Sequence, residues 1–117
     1  MSTEPILLTA EADLATVTTS QLFNGKRFGV DASFLLNHTA PGRRVRGHRH
    51  PFPEVFVVLD GEVTFTVEGE PLAARGGQPV VVPADATHAL ENAGPATLQM
   101  ISIHPVAEMT TEWAEPT

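Results

Sequence analysis

The 117-residue sequence predicts an all-β domain, folded as an antiparallel sandwich or barrel. Three observations carry this. The apolar runs are short, ten prolines and nine glycines punctuate them, and within the runs apolar and polar residues alternate with a period near two.

Residues 28–38 place Val30, Ala32, Phe34 and Leu36 at even positions, as a strand would whose even face is buried and whose Asp31, Ser33 and Asn37 look outward. Residues 54–59 and 62–68 flank Asp60-Gly61, a dipeptide suited to a tight hairpin turn because both positions tolerate positive φ. In the second arm Val63, Phe65 and Val67 alternate with Thr64, Thr66 and Glu68, giving one apolar and one wet face. Residues 70–74 read as a short strand and Arg75-Gly76-Gly77 as a turn. Residues 78–82 and 97–104 complete the β pattern, with turn material at 83–85 and 92–95. Two segments have helical character: residues 10–15, and residues 107–114, which are long enough for about two turns.

The length allows one modest core, so a single domain is expected over 1–117, with a barrel core at about 22–106, an N-terminal extension at 1–21 and a C-terminal tail at 107–117. The absence of cysteine excludes disulfides, thiolate metal sites and cysteine nucleophiles together, so any metal must be held by nitrogen and oxygen. The N-terminus lacks a basic segment followed by an apolar run, and no stretch approaches the roughly 20 apolar residues of a membrane span. A soluble, cytoplasmic protein without a membrane partner is therefore expected. A net charge of −7 argues against a nucleic-acid partner. Four of the seven basic residues, Arg43, Arg44, Arg46 and Arg49, nevertheless fall within one short window.

That window also holds His48. His48 and His50 are two apart, so on a strand both leave the same face with Cα atoms roughly 6.5 Å apart, close enough to converge on one ion. Glu54 shares their parity, and it stays on that face if Pro51-Phe52-Pro53 introduces no half-step. A third nitrogen must come from another strand, and His88, beyond the Pro83-Ala84-Asp85 turn, is the natural candidate. Such donors suit Zn, Fe, Mn, Co, Ni or Cu and leave coordination positions open.

The spacing closely resembles that of the cupin family. The first cupin motif, G-x5-H-x-H-x3-E-x6-G, is met by Gly42, His48, His50, Glu54 and Gly61, and the second, G-x5-P-x-G-x2-H-x3-N, by Gly77, Pro83, His88 and Asn92. Asp85 stands where the family has glycine. Asp tolerates left-handed turn geometry, so the turn should survive. The resemblance implies a jelly-roll β-barrel in which His48, His50, Glu54 and His88 surround one divalent transition metal ion. It also implies a homodimer and a small-molecule substrate or ligand inside the barrel. Phe34, Phe56, Val58, Phe65 and Met100 are candidates for its walls or core.

Cupins with this ligand set include dioxygenases, isomerases, epimerases, lyases and decarboxylases. A mononuclear, dioxygenase-like oxidoreductase acting on a small oxygen-bearing substrate is ranked first, with Glu54 as both ligand and catalytic base. An isomerase, epimerase or lyase, and a non-enzymatic ligand- or metal-binding module, are the alternatives. No helix-turn-helix segment accompanies the barrel, which disfavours a DNA-binding regulator. Arg43, Arg44 and Arg46 read as solvated loop arginines, or one of them holds a substrate carboxylate. Arg49, alternating with His48 and His50, should face away. His38 reads as a surface or hydrogen-bonded histidine. His104 reads likewise, or, sharing parity with Met100 and Ser102, lines the barrel mouth or carries protons beside the metal. Trp113 and Met109 would cap a barrel end or meet a partner subunit.

Overall fold

A computed structural model describes residues 3–114; Met1, Ser2 and the last three residues of the expected tail, 115–117, lie outside the described residues. The described residues form eleven strands and two single-turn helices. A six-stranded antiparallel sheet runs β1 (Ala15–Val17), β2 (Ser20–Phe23), β3 (Ser33–Thr39), β10 (Leu98–His104), β5 (Glu54–Asp60), β8 (Pro79–Val82). A five-stranded sheet runs β11 (Glu112–Trp113), β4 (Arg44–Arg49), β9 (His88–Glu91), β6 (Glu62–Val67), β7 (Glu70–Arg75). The helices are α1 (Ala10–Asp13), capped by the Thr9 side chain, and α2 (Gly25–Phe28), which ends on the left-handed Gly29. No helix among the described residues is long and apolar enough to cross a membrane.

The sheets face one another across a core that includes Phe56, Val58, Val63, Phe65, Leu98 and Met100, each at most 2 % exposed. The strictly alternating burial of β10, with Leu98, Met100, Ser102 and His104 inward, is the period-two pattern of a half-covered sheet.

Three expectations are corrected. Asp60-Gly61 does not close a hairpin: β5 pairs with β10 and β8, whereas β6 pairs with β7 and β9. Gly61, at φ +92°, instead carries the chain from one sheet to the other, where a Cβ would stand 2.9 Å from the Thr97 carbonyl oxygen. A two-residue hairpin lies instead at Glu68-Gly69, both with positive φ, between Val67 and its partner Glu70.

The inward face of β3 is the odd one. Asn37 donates to the inward Ser102 Oγ at 2.7 Å, and buried Ser33 donates to the Val106 and Ala107 carbonyls. Phe34 turns away and stacks on Phe23, which also stacks on Phe28, so the apolar even face is covered by β2 and α2. Residues 107–114 form no helix. They run through a bend and irregular backbone into β11, which pairs to β4 through Glu112–Arg49 and Trp113–His48.

Candidate metal centre

Two features of β4 aim its histidines. Between the pairs Val45–Leu90 and His48–His88, β4 advances three residues while β9 advances two. This bulge at Arg46-Gly47 moves the inward face from Val45 to His48. Pro51-Phe52-Pro53 is then the corner between the sheets, so Glu54 opens β5 and meets the histidines from the opposite sheet. Its direction is set by the neighbours of β5, not by the parity of β4. Asp85 adopts φ +64°, the left-handed conformation expected of it, and its N–H donates to the His50 carbonyl at 2.8 Å. The second motif is thereby latched to the first. Asn92 closes the same region: fully buried, it donates to the Thr39 and Ala96 carbonyls and accepts from the Gly94 N–H.

His48, His50, Glu54 and His88 are all buried, and each offers one ligand atom within 4.8 Å of the others. The imidazole Nδ1 atoms of His48, His50 and His88 donate to the carbonyls of Arg46 (2.8 Å), Thr110 (2.7 Å) and Ala86 (2.9 Å). A carbonyl can only accept, so Nδ1 carries the proton and, in a neutral ring, Nε2 presents a lone pair. Yet Glu54 Oε1 lies 3.2 Å from His50 Nε2 and 3.0 Å from His88 Nε2. Lone pairs facing a carboxylate in a dry site require a cation between them, which protons or one metal ion supply. Three imidazole nitrogens and one carboxylate oxygen fit a first-row divalent metal.

The electrostatics agree. Burial would push the Glu54 carboxyl up, but contacts with His104, His50 and His88 outweigh it and hold the group well below the usual carboxylate range. Burial lowers His48 to about 4, helped by neighbouring His88 and His50 and opposed by the Arg46 carbonyl. Burial also opposes protonation of His50, but the Glu54 carboxylate and Thr110 carbonyl more than reverse it. His48 is thus a neutral donor at physiological pH.

A fifth histidine joins the centre. His104, 1 % exposed, brings Nε2 to 3.0 Å from Glu54 Oε2, but neither ring nitrogen has an aligned hydrogen-bond partner. Its shared parity with Met100 and Ser102 is the sequence signal for its inward position. His38 is exposed on β3, and Gln99, exposed on β10, is likewise outside the centre. Arg49 faces away as expected and pairs with Glu112 at 2.9 Å.

The centre opens into a cavity of about 450 Å³. Phe56 and Met100 line it, whereas Val58 and Phe65 belong only to the core. The tail supplies Met109, Thr111 and Trp113. Trp113 packs 5.1 Å from the His48 ring, under the Arg46 guanidinium at 4.7 Å.

Comparison with known proteins agrees with this architecture. Residues 36–104 match the cupin domain family. The sequence is 34% identical over 75 residues to "Polyketide synthase CurC" of Streptomyces cyaneus, covering 62% of this chain and 49% of that protein. It is 39% identical over 59 residues to the dimethylsulfoniopropionate lyase DddW of Ruegeria pomeroyi, covering 50% of this chain and 38% of that one. The chain thus spans less than half the length of these relatives. Among solved structures, Bacillus subtilis oxalate decarboxylase, a protein with Mn(II) centres, superposes with a TM-score of 0.75 at 18% identity, over 88% of this chain and 30% of its own. A Klebsiella pneumoniae protein with a double-stranded β-helix domain superposes with a TM-score of 0.72 at 17% identity, over 97% of this chain and 100% of its own. With two facing antiparallel sheets, both sequence motifs in place and the family match covering more than half its length, this chain belongs to the cupin family.

Proposed function

We propose that His48, His50 and His88, through Nε2, and Glu54, through its carboxylate, hold one divalent transition metal ion (Fe, Mn, Ni, Cu, Co or Zn). The protein is then a mononuclear metalloenzyme acting on a small oxygen-bearing organic molecule. The observation that carries this is the set of three imidazoles whose Nδ1 protons are spent on backbone carbonyls while their Nε2 atoms converge on a carboxylate beside a cavity. When bound, the metal supplies Lewis-acid polarisation, or electron transfer if it is redox-active. The chain supplies a cavity walled by Phe56 and Met100, and Glu54 as the group that takes a proton from substrate.

Two reaction classes fit. The dioxygenase-like reading is the first. The second is a lyase or decarboxylase, favoured by the names of DddW and of the oxalate decarboxylase fold neighbour. Elemental analysis of protein purified without added metal tests the centre: about one divalent transition metal per chain is expected, and a metal-free protein that cannot be loaded refutes it. Turnover of a panel of β-diketones, flavonols and small carboxylates, run with and without dioxygen, separates the classes. Oxygen consumption supports the first, and product formation under nitrogen the second. A His88→Ala variant that keeps the full biological effect would leave a ligand-binding module instead.

We further propose a cytoplasmic homodimer. The edge strands β7 and β8 carry Leu72 and Val81, 46% and 67% exposed, as apolar surface that a second copy would cover. Light scattering that returns a monomer mass rejects this.

A further inference from the structure

The cavity beside the centre carries the wrong charge for the chain that builds it. The protein has 14 acidic and 7 basic residues, yet the residues lining the cavity include three exposed arginines, Arg43, Arg44 and Arg46, and a single carboxylate, that of Glu54. Glu54 is already engaged by imidazoles. None of the three arginines makes an ion pair among the described residues, although acidic groups are in excess. Glu91 stands opposite Arg44 across the β4–β9 ladder without pairing to it, and Arg46 rests only on the Trp113 ring. By contrast, Lys26 and Arg49, which do not line this cavity, pair with Glu108 and Glu112 at 3.0 and 2.9 Å. An acidic protein that leaves three guanidinium groups unpaired at one cavity mouth creates a local positive field, and a low-dielectric recess strengthens it.

The remaining walls define the rest of the occupant. Leu35, Phe56, Leu90, Met100, Met109 and Trp113 offer apolar surface. One polar strip interrupts them, where Ser20 donates to Asn37 Oδ1 at 2.6 Å and Asn37 donates to Ser102 Oγ at 2.7 Å. The cavity of about 450 Å³ is of the size that encloses a small organic molecule.

Taking the metalloenzyme reading as its starting point, we infer that the substrate is a small organic carboxylate with an apolar body, its charge held at the mouth by Arg43, Arg44 and Arg46. Guanidinium forks match a carboxylate in two-point contact. An anion seated there places its body against Met100 and Trp113 and its far end toward Glu54 and the histidines.

Trp113 is the only tryptophan and lines the cavity, so its fluorescence reports occupancy. The probes are a series of ω-phenylalkanoates and their matching amides, titrated into metal-loaded protein, metal-free protein and the triple variant R43Q/R44Q/R46Q. The wild type should bind at least one acid about tenfold more tightly than its amide. The triple variant should reduce that ratio to about twofold while keeping metal content and melting temperature. Preference for the acid should persist in metal-free protein and weaken with added salt. Acid and amide binding alike, no acid binding at all, or a triple variant with undiminished preference would each overturn the inference. If the protein takes up no metal yet prefers the acid through these arginines, the metalloenzyme reading fails and the anion site stands. If it takes up metal but shows no preference for the acid, the anion site fails and the metal centre stands.

Discussion

Acidifying the metal-free protein should destabilise it in a window set by His48. The folded ring titrates near 4 because it is buried, against an ordinary value of 6.5. Between those pH values the unfolded chain holds a proton that the folded protein rejects, so stability falls as pH falls. At 1.36 kcal/mol per pH unit the full difference corresponds to about 3 kcal/mol, and partial hydration of the ring reduces it to about 2 kcal/mol. Glu54 acts at lower pH: its depressed titration contributes stability above its unfolded value of 4.5 that is lost as pH drops further. His50 has the opposite sign. Its raised titration contributes stability below 6.5 that disappears as pH rises through its folded value. Stability should therefore peak near neutrality and lose about 2 kcal/mol by pH 4.5, or about 8 °C in melting temperature for a chain of this length. Thermal melts of chelator-treated protein, followed by circular dichroism from pH 7 to 4.5, measure this, and His48→Gln should remove most of the slope. A melting temperature flat across that range, or an equal slope in the variant, would refute burial of a neutral His48.

Three further perturbations probe the surrounding architecture. His104→Phe takes away the contact to Glu54 Oε2 but leaves all four candidate ligands, so metal affinity should fall about 10- to 100-fold with stoichiometry unchanged, read by chelator competition. Asn92→Ala deletes three hydrogen bonds made by a fully buried side chain and should cost about 3 kcal/mol, lowering the melting temperature by about 12 °C. Gly61→Ala puts a Cβ 2.9 Å from the Thr97 oxygen at φ +92° and should destabilise by about 1–3 kcal/mol in urea unfolding, whereas alanine at the solvent-facing Leu59 should change little.

The motif residues were legible because each meets a local demand: left-handed backbone at Gly42, Gly61 and Gly77, a buried hydrogen-bond hub at Asn92, and imidazoles at His48, His50 and His88. What periodicity could not supply was which sheet a strand joins. Asp60-Gly61 has hairpin chemistry, but β5 finds its partners in β8 and β10, so the same positive φ serves a sheet crossing. Residues 28–38 alternate correctly but with the reverse sense, because Phe34 has an aromatic partner in Phe23 outside the barrel and the polar Asn37 has one in Ser102 inside it. The tail has helix-forming composition, and its register against β4, with the Ala114 N–H donating to the Gly47 carbonyl, overrides that preference.

The asymmetry of the four candidate ligands bears on which of them moves. His48, His50 and His88 are each tied at Nδ1 to a backbone carbonyl, so rotating any ring away from the centre breaks a buried hydrogen bond. Glu54 has no such tie among the described residues: both of its oxygens contact only imidazole nitrogens. It also comes from the other sheet, so small shifts between the sheets change its distance to the histidines while leaving His48 and His88, on paired strands, fixed to one another. A carboxylate held only by the groups it would share with a metal can leave without unmaking the fold, and His104 on its far oxygen gives it somewhere to go. That combination of a rigid imidazole set and a releasable carboxylate is what a ligand doubling as a base requires.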